Sequence, residues 1–232
     1  MGKMQRTNLA WDDYMDYLTT AIKNDATFRK AGDRPMMLLR TDSESDISSR
    51  LSHLLESAEV ARIITKELEL NNKFIYNSML MHDLGHTPNA HEGEVIQNKL
   101  AELFNIQAFH HNANGVDVAI NSDICGKAIS MIPKIDEMPE LKEQLEDEFY
   151  YFLDVIISHD GEANITDMTR PETKYDSLEE AVKTKQRLAN SSDIYKFVAQ
   201  TPEGKIAKFA DVIAYMASDL RDRIWSWNNK RI

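Results

Sequence analysis

Apolar residues recur at three- and four-residue steps along most of this 232-residue chain, which predicts a series of amphipathic helices. The clearest stretch runs from Arg50 to Leu70, where the apolar stripe consists of Leu51, Leu54, Leu55, Ala58, Ala61, Ile64 and Leu68. Other helices are predicted at 9–30, 73–82, about 91–104, 141–158, about 177–190 and 203–227, and one more follows the stretch 109–114 and ends at about Ile120. Because no alternation of period two appears, we predict an all-α bundle of about eight helices.

Polar, glycine- and proline-containing stretches separate the predicted helices. Residues 41–49 are rich in Ser and Asp and are the best candidate for a mobile loop. Gly85 is a natural stop for the helix that begins at Lys73. Residues 121–138, with Pro133 inside and Pro139 directly after, are predicted to be a loop, and a second polar loop runs from His159 to about Tyr175.

Length and composition are typical of one soluble globular domain, with 42% hydrophobic and 28% charged residues. We predict a single domain over 1–232, with a core at about 36–225 and the helix at 9–30 packed on it. No apolar run reaches the roughly 18 residues that a membrane span requires, and the start of the chain has no apolar signal core. The single cysteine, Cys125, suits a reducing compartment, so a cytoplasmic location is expected.

The net charge of −11 limits the classes of partner. It argues against a broad nucleic-acid-binding face, because such a face needs an excess of Lys and Arg. A polyanionic substrate would have to be held by local cations, namely a metal ion together with selected Arg or Lys side chains.

The segment 81–94 carries three of the seven histidines, one aspartate and two glutamates. The adjacent His82 and Asp83 offer an imidazole nitrogen and a carboxylate oxygen, which suits a divalent ion that keeps positions open for water and phosphate. A His-Asp pair alone is a weak signal, and a solvated helix end is the alternative. His53 near its helix start is either a structural histidine or a further ligand. Asp211 lies beside an apolar stripe, where a metal ion would offset the cost of burying its charge.

Taken in order, the pattern His53, His82-Asp83, Asp211 resembles that of the HD-domain metal-dependent phosphohydrolases. Four longer blocks are similar to those of the deoxyribonucleoside triphosphate (dNTP) triphosphohydrolases within that group. They are Arg50-Leu51-Ser52-His53 with Glu56 and Val60, the stretch Leu80 to Glu94, the stretch Phe109 to Asn114, and Ala210-Asp211-Val212-Ile213-Ala214-Tyr215 with Asp219-Leu220.

The resemblance implies hydrolysis of a dNTP, dGTP-like, to a deoxynucleoside and tripolyphosphate by attack of water at the α-phosphorus. It implies that His53, His82, Asp83 and Asp211 hold a divalent ion, which is Mn, Fe, Mg, Co or Ni. The other implied roles fall into two groups. Proton handling and catalytic contacts are assigned to His91, Glu94, His86 and His111, and substrate contacts to Arg50, Tyr215, Asp219, Asn112 and His159.

The chain also departs from the family pattern. Asn89-Ala90 replaces the usual Phe-Gly or Phe-Ser, which changes an aromatic wall of the pocket, and Val212 replaces a polar residue. The chain ends at Ile232, before the long C-terminal part with which most relatives build oligomers and effector sites, so the resemblance does not imply allosteric activation by a nucleotide. Trp225 and Trp227 are interpreted as a subunit interface of a homo-oligomer or as part of the chain's own core.

Two alternatives to the triphosphohydrolase remain open. An HD-domain 5′-deoxynucleotidase or nucleotide phosphodiesterase would use the same metal ligands. A degenerate HD domain that serves as a nucleotide-binding or assembly module is disfavoured, because the metal donors and the His91 and Glu94 pair are all present.

Overall fold

A computed structural model of the chain describes residues 8–34, 49–160, 183, 199 and 201–229, with side chains except at 8–10, 219 and 222–229. The described residues form helices and turns without a β-strand, which confirms the all-α prediction. No helix among them combines the length and the apolar character needed to cross a membrane. The α-helices are α1 (Asn8–Asn24), α2 (Ala26–Lys30), α3 (Arg50–Glu67), α4 (Asn72–Met79), α5 (Ala90–Phe104), α6 (His111–Asn121), α7 (Ile124–Ser130), α8 (Pro139–Ser158) and α9 (Pro202–Asn229).

The predicted single helix at 9–30 is two helices, and Asp25 divides them. Asp25 has an extended backbone, and its side chain accepts a hydrogen bond from the Thr27 backbone N–H at 2.7 Å. An Asp in this position caps the start of a helix, so the chain restarts as α2 instead of continuing α1. Helix α1 packs against α4 and α7.

Helix α3 buries a face that is more polar than the predicted stripe. Its buried residues keep helical spacing and are Arg50, His53, Leu54, Ser57, Ala58, Ala61 and Thr65. Leu55 and Leu68 belong to the predicted stripe but are 38% and 52% exposed. The face is rotated toward the polar residues because α3 packs between α4 and α9, where Arg50 and His53 reach the interior.

The segment that follows α4 corrects the predicted helix of 73–82. The helix ends at Met79, and residues 80–85 form consecutive turns, so His82 and Asp83 lie in a turn and not on a helix. The last of these turns lies close to another backbone, because a Cβ added at Gly85 would overlap the carbonyl oxygen of His111 and the backbone nitrogen of Gly115. Only glycine allows this turn to lie against the start of α6.

The stretch 121–138, predicted to be a loop, contains α7 and a 3₁₀ turn at Ile135–Glu137. Ile124, Ala128 and Ile129 are buried, and α7 packs on α1, α6 and α8. Tertiary packing of this short apolar face stabilises a helix that is too short for a clear sequence period.

The long helices α3, α8 and α9 frame the interior around α4. Helix α3 packs against α4 and α9, and α8 packs against α4, α6 and α9. The start of α9 is fixed by the buried Asp154 of α8, whose Oδ2 accepts from the Thr201 backbone N–H at 2.7 Å. The Thr201 hydroxyl in turn accepts from the Gly204 N–H at 2.9 Å. A carboxylate and a hydroxyl at this helix start stabilise it and orient the residues farther along α9.

Several predicted features lie outside the described residues. These are the mobile loop up to residue 48, the second polar loop after residue 160, the helix at about 177–190 apart from Lys183, and the side chains of Asp219, Trp225 and Trp227.

We expect Gly85→Ala to destabilise the protein by about 3 kcal/mol or more, because backbone atoms of α6 cannot yield as a flexible side chain can. Chemical denaturation followed by circular dichroism measures this change. Gly32→Ala is the matched control, because the atom nearest to its added Cβ is Leu51 Cδ2 at 3.5 Å, an ordinary contact. Equal stabilities of the two variants would contradict the proposed backbone constraint.

Candidate metal centre

The structure brings His53, His82, Asp83 and Asp211 together from α3, the turn after α4, and α9. Asp211 Oδ1 lies 2.8 Å from His53 Nε2 and 3.3 Å from His82 Nε2. Asp83 lies 3.8 Å from His53 Nε2 through Oδ2 and 4.0 Å from His82 Nε2 through Oδ1. Residues that are far apart in sequence therefore present two imidazole nitrogens and two carboxylates to one small volume.

The donor atoms of this group fit a divalent ion. His53 Nε2, His82 Nε2 and Asp211 Oδ1 are buried and have no hydrogen-bond partner among the described residues, although they face one another. Buried polar atoms are nearly always paired, so three converging atoms without partners indicate a missing ligand. Two imidazoles and two carboxylates suit a transition metal or magnesium ion with open positions.

Asp83 contacts more of the site than any other predicted ligand. Its carboxylate receives the Arg50 guanidinium on Oδ2, while Oδ1 lies 3.0 Å from His86 Nδ1 and 3.5 Å from His159 Nε2. Burial raises the pKa of the Asp83 carboxyl, but the interactions with His86 and with the Arg50 guanidinium outweigh it and hold that pKa well below its usual value. The group therefore stays ionised in the interior, where it attracts cations.

The pKa shifts of Asp211 and His82 show that the carboxylates of this group attract positive charge. Burial raises the pKa of Asp211, but the interactions with the His53 and His82 rings lower it by more, so the net shift of this pKa is downward. Burial lowers the pKa of His82, but Asp83 and Asp211 reverse the sign and raise it. A metal ion would supply the charge that a proton on His82 otherwise provides.

Backbone carbonyls fix the rings of two histidines. His82 Nδ1 donates to the Met79 carbonyl at 2.7 Å, and His159 Nδ1 donates to the Ile156 carbonyl at 2.9 Å. In both rings the lone pair is then on Nε2, which faces the carboxylates. Such a hydrogen bond is the usual second contact of a metal-bound histidine.

The predicted pair of His91 and Glu94 is a group of three, because Glu94 also binds His111. Glu94 accepts from the His111 backbone N–H at 3.1 Å and from His111 Nδ1 at 2.9 Å, whereas His91 Nδ1 lies 3.7 Å from Glu94 Oε2. The His111 side chain is 6% exposed and that of His91 is 67% exposed. Glu94 therefore links a buried imidazole to one that reaches solvent.

This arrangement separates the pKa values of the two imidazoles. Burial lowers the pKa of His111 well below its usual value, aided by the charge of His86 and opposed by Glu94. The Glu94 carboxylate raises the pKa of the more exposed His91. Burial raises the pKa of Glu94 itself, but His111 and His91 bring it below its usual value. His91 is thus the imidazole of this group that is better suited to carry a proton.

The predicted substrate contacts lie around the same centre. Arg50 is 1% exposed and contacts Asp83. The Tyr215 ring lies 4.5 Å from the His53 ring between centroids. The Asn112 amide donates to the Ile157 carbonyl at 3.1 Å and to Asp160 Oδ1 at 2.6 Å, so it ties α6 to the end of α8.

No role is assigned to His110 or Asp160 from the sequence, although both lie beside the site. His110 stacks on His111 with 4.7 Å between ring centroids, and its Nε2 lies 3.6 Å from Asp160 Oδ2. His110 Nδ1 also accepts from the Asn112 N–H at the start of α6. The sequence offered one signal for Asp160, namely the dipeptide His-Asp. It occurs at residues 82 and 83 and again at residues 159 and 160, each time after a helix.

The residues that depart from the family pattern lie at the edge of the site. Asn89 and Val212 are exposed. Ala90 is buried and has a φ of 50°, a left-handed conformation that favours glycine. Glycine is one of the residues that the family has at that position, so the alanine holds the same backbone turn at an energetic cost.

Comparison with known proteins identifies the family to which the chain is similar. The family model described as HD domain matches residues 50–216. A "Deoxyguanosinetriphosphate triphosphohydrolase-like protein" of Clostridium tetani (strain Massachusetts / E88) is 26% identical over 203 residues, covering 88% of this chain and 44% of that protein. A protein of the same name in Clostridium perfringens (strain 13 / Type A) is 28% identical over 203 residues, which cover 88% of this chain and 44% of that protein. A third, in Desulfatibacillum aliphaticivorans, is 30% identical over 179 residues, which cover 77% of this chain and 38% of that protein. The chain thus spans less than half the length of these relatives.

We expect Asp211→Asn to weaken manganese binding by about 100-fold or more, because the change removes one of the two carboxylates and leaves the fold's shape intact. Isothermal titration calorimetry measures the affinity, and thermal unfolding with and without Mn²⁺ measures the stabilisation that binding provides. Asp117→Asn, at an exposed position of α6, is the matched control. Unchanged Mn²⁺ affinity in a folded Asp211→Asn protein would exclude Asp211 as a ligand.

Proposed function

We propose that this chain, which belongs to the HD domain family, is a metal-dependent phosphohydrolase that cleaves a dNTP to a deoxynucleoside and tripolyphosphate. The observation that carries the proposal is the convergence of His53, His82, Asp83 and Asp211, with three buried donor atoms that lack hydrogen-bond partners among the described residues. The names of the relatives and the four ordered sequence blocks support the choice of substrate class.

In this proposal His53, His82, Asp83 and Asp211 hold one divalent ion, and its identity among Mn, Fe, Mg, Co and Ni stays open. A bound ion supplies electrostatic stabilisation of the phosphoryl oxygens and lowers the pKa of water. The protein contributes fixed ring orientations, since the Met79 carbonyl holds His82, and a buried setting in which opposite charges attract strongly. The net charge of −11 makes this local cation necessary for a substrate with several negative charges.

Proton handling is assigned to the group of His91, Glu94 and His111. Glu94 is held by two hydrogen bonds from His111, and this fixes the carboxylate that raises the pKa of His91. His91 then donates a proton to the departing 5′-oxygen of the deoxynucleoside, which avoids the release of an alkoxide. His86, whose ring centroid lies 3.9 Å from that of His111, is assigned to a phosphate or water contact.

The remaining roles concern the binding of the substrate. Arg50 is assigned to phosphate, because its Nε is buried without a hydrogen-bond partner among the described residues and its planar fork suits phosphate oxygens. Tyr215 is also assigned to phosphate, and Asp219 to the sugar 3′-hydroxyl. Asn112 and His159 are assigned to substrate contacts, and Asn112 additionally holds the two helix ends that border the site.

A homo-oligomer is proposed on the basis of the apolar surface of α5. Leu103 and Phe104 are 74% and 67% exposed, and Val95 and Ile96 are each more than half exposed. Contiguous exposed apolar surface of this kind is unusual on a monomer and often marks a protein contact. A cytoplasmic location stays a prediction from cysteine content.

The first experiment identifies the reaction through its products. The protein is incubated with Mn²⁺ and each dNTP or, separately, each dNMP, and the phosphate species are resolved by ion chromatography. Tripolyphosphate is the expected product, whereas orthophosphate from a dNMP would indicate the 5′-deoxynucleotidase alternative. The double variant His82→Ala and Asp83→Ala is the control and should be inactive. Absence of both products with several metals would exclude both reactions.

The second experiment separates proton transfer from metal binding. We expect His91→Ala to retain Mn²⁺ in the first site, which is the one formed by His53, His82, Asp83 and Asp211. We expect it to lose about 100-fold or more in kcat, because general acid catalysis contributes roughly that factor. Glu92→Ala, at the neighbouring exposed position of α5, is the control and should keep full activity. Loss of the Mn²⁺ ion from His91→Ala would instead make His91 a ligand of that ion.

A further inference from the structure

All seven histidines of the chain lie in or beside the candidate metal centre, and three of them form a cluster of their own. The cluster consists of His86, His91 and His111. Its ring centroids are 3.9 Å apart for His86 and His111, 4.8 Å for His86 and His91, and 5.3 Å for His91 and His111. One ring nitrogen from each of the three residues lies within 4.8 Å of the others.

Each ring of this cluster has a carboxylate beside its Nδ1. His86 Nδ1 lies 3.0 Å from Asp83 Oδ1, His111 Nδ1 lies 2.9 Å from Glu94 Oε2, and His91 Nδ1 lies 3.7 Å from the same Glu94 oxygen. A proton on Nδ1 facing the carboxylate leaves the lone pair on Nε2. A carboxylate behind a histidine in this way orients a metal-binding ring and increases its basicity.

His86 gives an independent indication that a ligand belongs here. Its ring is buried at 4% exposure, yet its Nε2 has no hydrogen-bond partner within the described parts of the chain, while its Nδ1 faces Asp83 Oδ1 at 3.0 Å. A buried imidazole nitrogen without a partner is costly. An ion bound to Nε2 would satisfy one nitrogen and strengthen the interaction of the other with Asp83.

We propose that His86, His91 and His111 form a second metal site, which binds a divalent transition metal ion and prefers Zn²⁺. Three imidazoles and an open fourth position are a common zinc ligand set, and imidazole favours zinc over magnesium or calcium. The site is distinct from the first one, because it shares none of the ligands His53, His82, Asp83 and Asp211.

Occupation of this second site inhibits the enzyme. This consequence rests on the proposed function, in which His91 delivers a proton. A zinc ion on His91 takes the lone pair that the proton needs, so turnover falls by about the 100-fold that the general acid contributes. The binding of zinc itself does not depend on that role.

A competing set of ligands shares one residue with this site. Asp83, His111 and His159 also have donor atoms within 4.8 Å of one another. The two sets differ in His91 and His159, so these two positions distinguish them. His91 is exposed, and its replacement is expected to leave the fold unchanged.

The test measures zinc stoichiometry on tag-free protein. The first site is loaded with Mn²⁺, Zn²⁺ is added in steps, unbound metal is removed by gel filtration, and both metals are measured by mass spectrometry. We expect wild type and His159→Gln to bind one equivalent of zinc beyond the ion of the first site, and His91→Ala to lose it. Co²⁺ added in place of zinc should give the strong visible absorption of a tetrahedral site in wild type and lose it in His91→Ala.

Two results would overturn the inference. One is the absence of the additional zinc from wild type, and the other is its loss from His159→Gln with retention in His91→Ala. Turnover measured in the same titration keeps the two proposals separate. Zinc binding at the histidine cluster in a protein that hydrolyses no dNTP would leave the site valid and remove the proposed function. Hydrolysis without the additional zinc would do the reverse.

Discussion

The buried, ionised carboxylate of Asp83 is the constraint on which the site depends. It is 3% exposed, and an isolated charge at that depth would cost several kcal/mol. The fold meets this cost by bringing cationic or polar groups from separate elements to it: Arg50 from α3, His86 from the following turn and His159 from the end of α8. The same carboxylate belongs to the proposed metal ligands, so groups that stabilise this buried charge are also those proposed to bind the ion and the phosphates.

A second constraint places the proposed proton-handling group next to the candidate metal centre. The turn that carries Asp83 lies directly against the start of α6, because Gly85 contacts the backbone of His111 and Gly115. This contact sets the position of His111, which holds Glu94 of α5 through two hydrogen bonds. Glu94 in turn raises the pKa of His91. One glycine contact therefore couples the metal ligands to residues that are not ligands of the first ion.

The histidines divide into two groups because their second contacts differ. The ring of His82 is held by a backbone carbonyl, which fixes its orientation without adding charge. The rings of His86, His91 and His111 face carboxylates through Nδ1, and such a carboxylate orients the ring with its lone pair on Nε2. Rings oriented in this way suit both proton transfer and the binding of zinc. The same cluster can therefore serve the proposed reaction and be inhibited by a second ion.

The sequence by itself determined the all-α class, most of the long helices and the order of the four proposed metal ligands, because helical periodicity and motif spacing are local properties. It did not determine that Asp25 divides the first helix, that α7 forms, or that His82 and Asp83 lie in a turn, since caps and backbone contacts decide these. The sequence also did not determine which histidine binds Glu94. His91 is three residues from Glu94 and His111 is 17 residues away, yet the closer contact is to His111. Only tertiary packing decides which of two imidazoles a buried carboxylate binds, because that choice depends on distance in space and not along the chain.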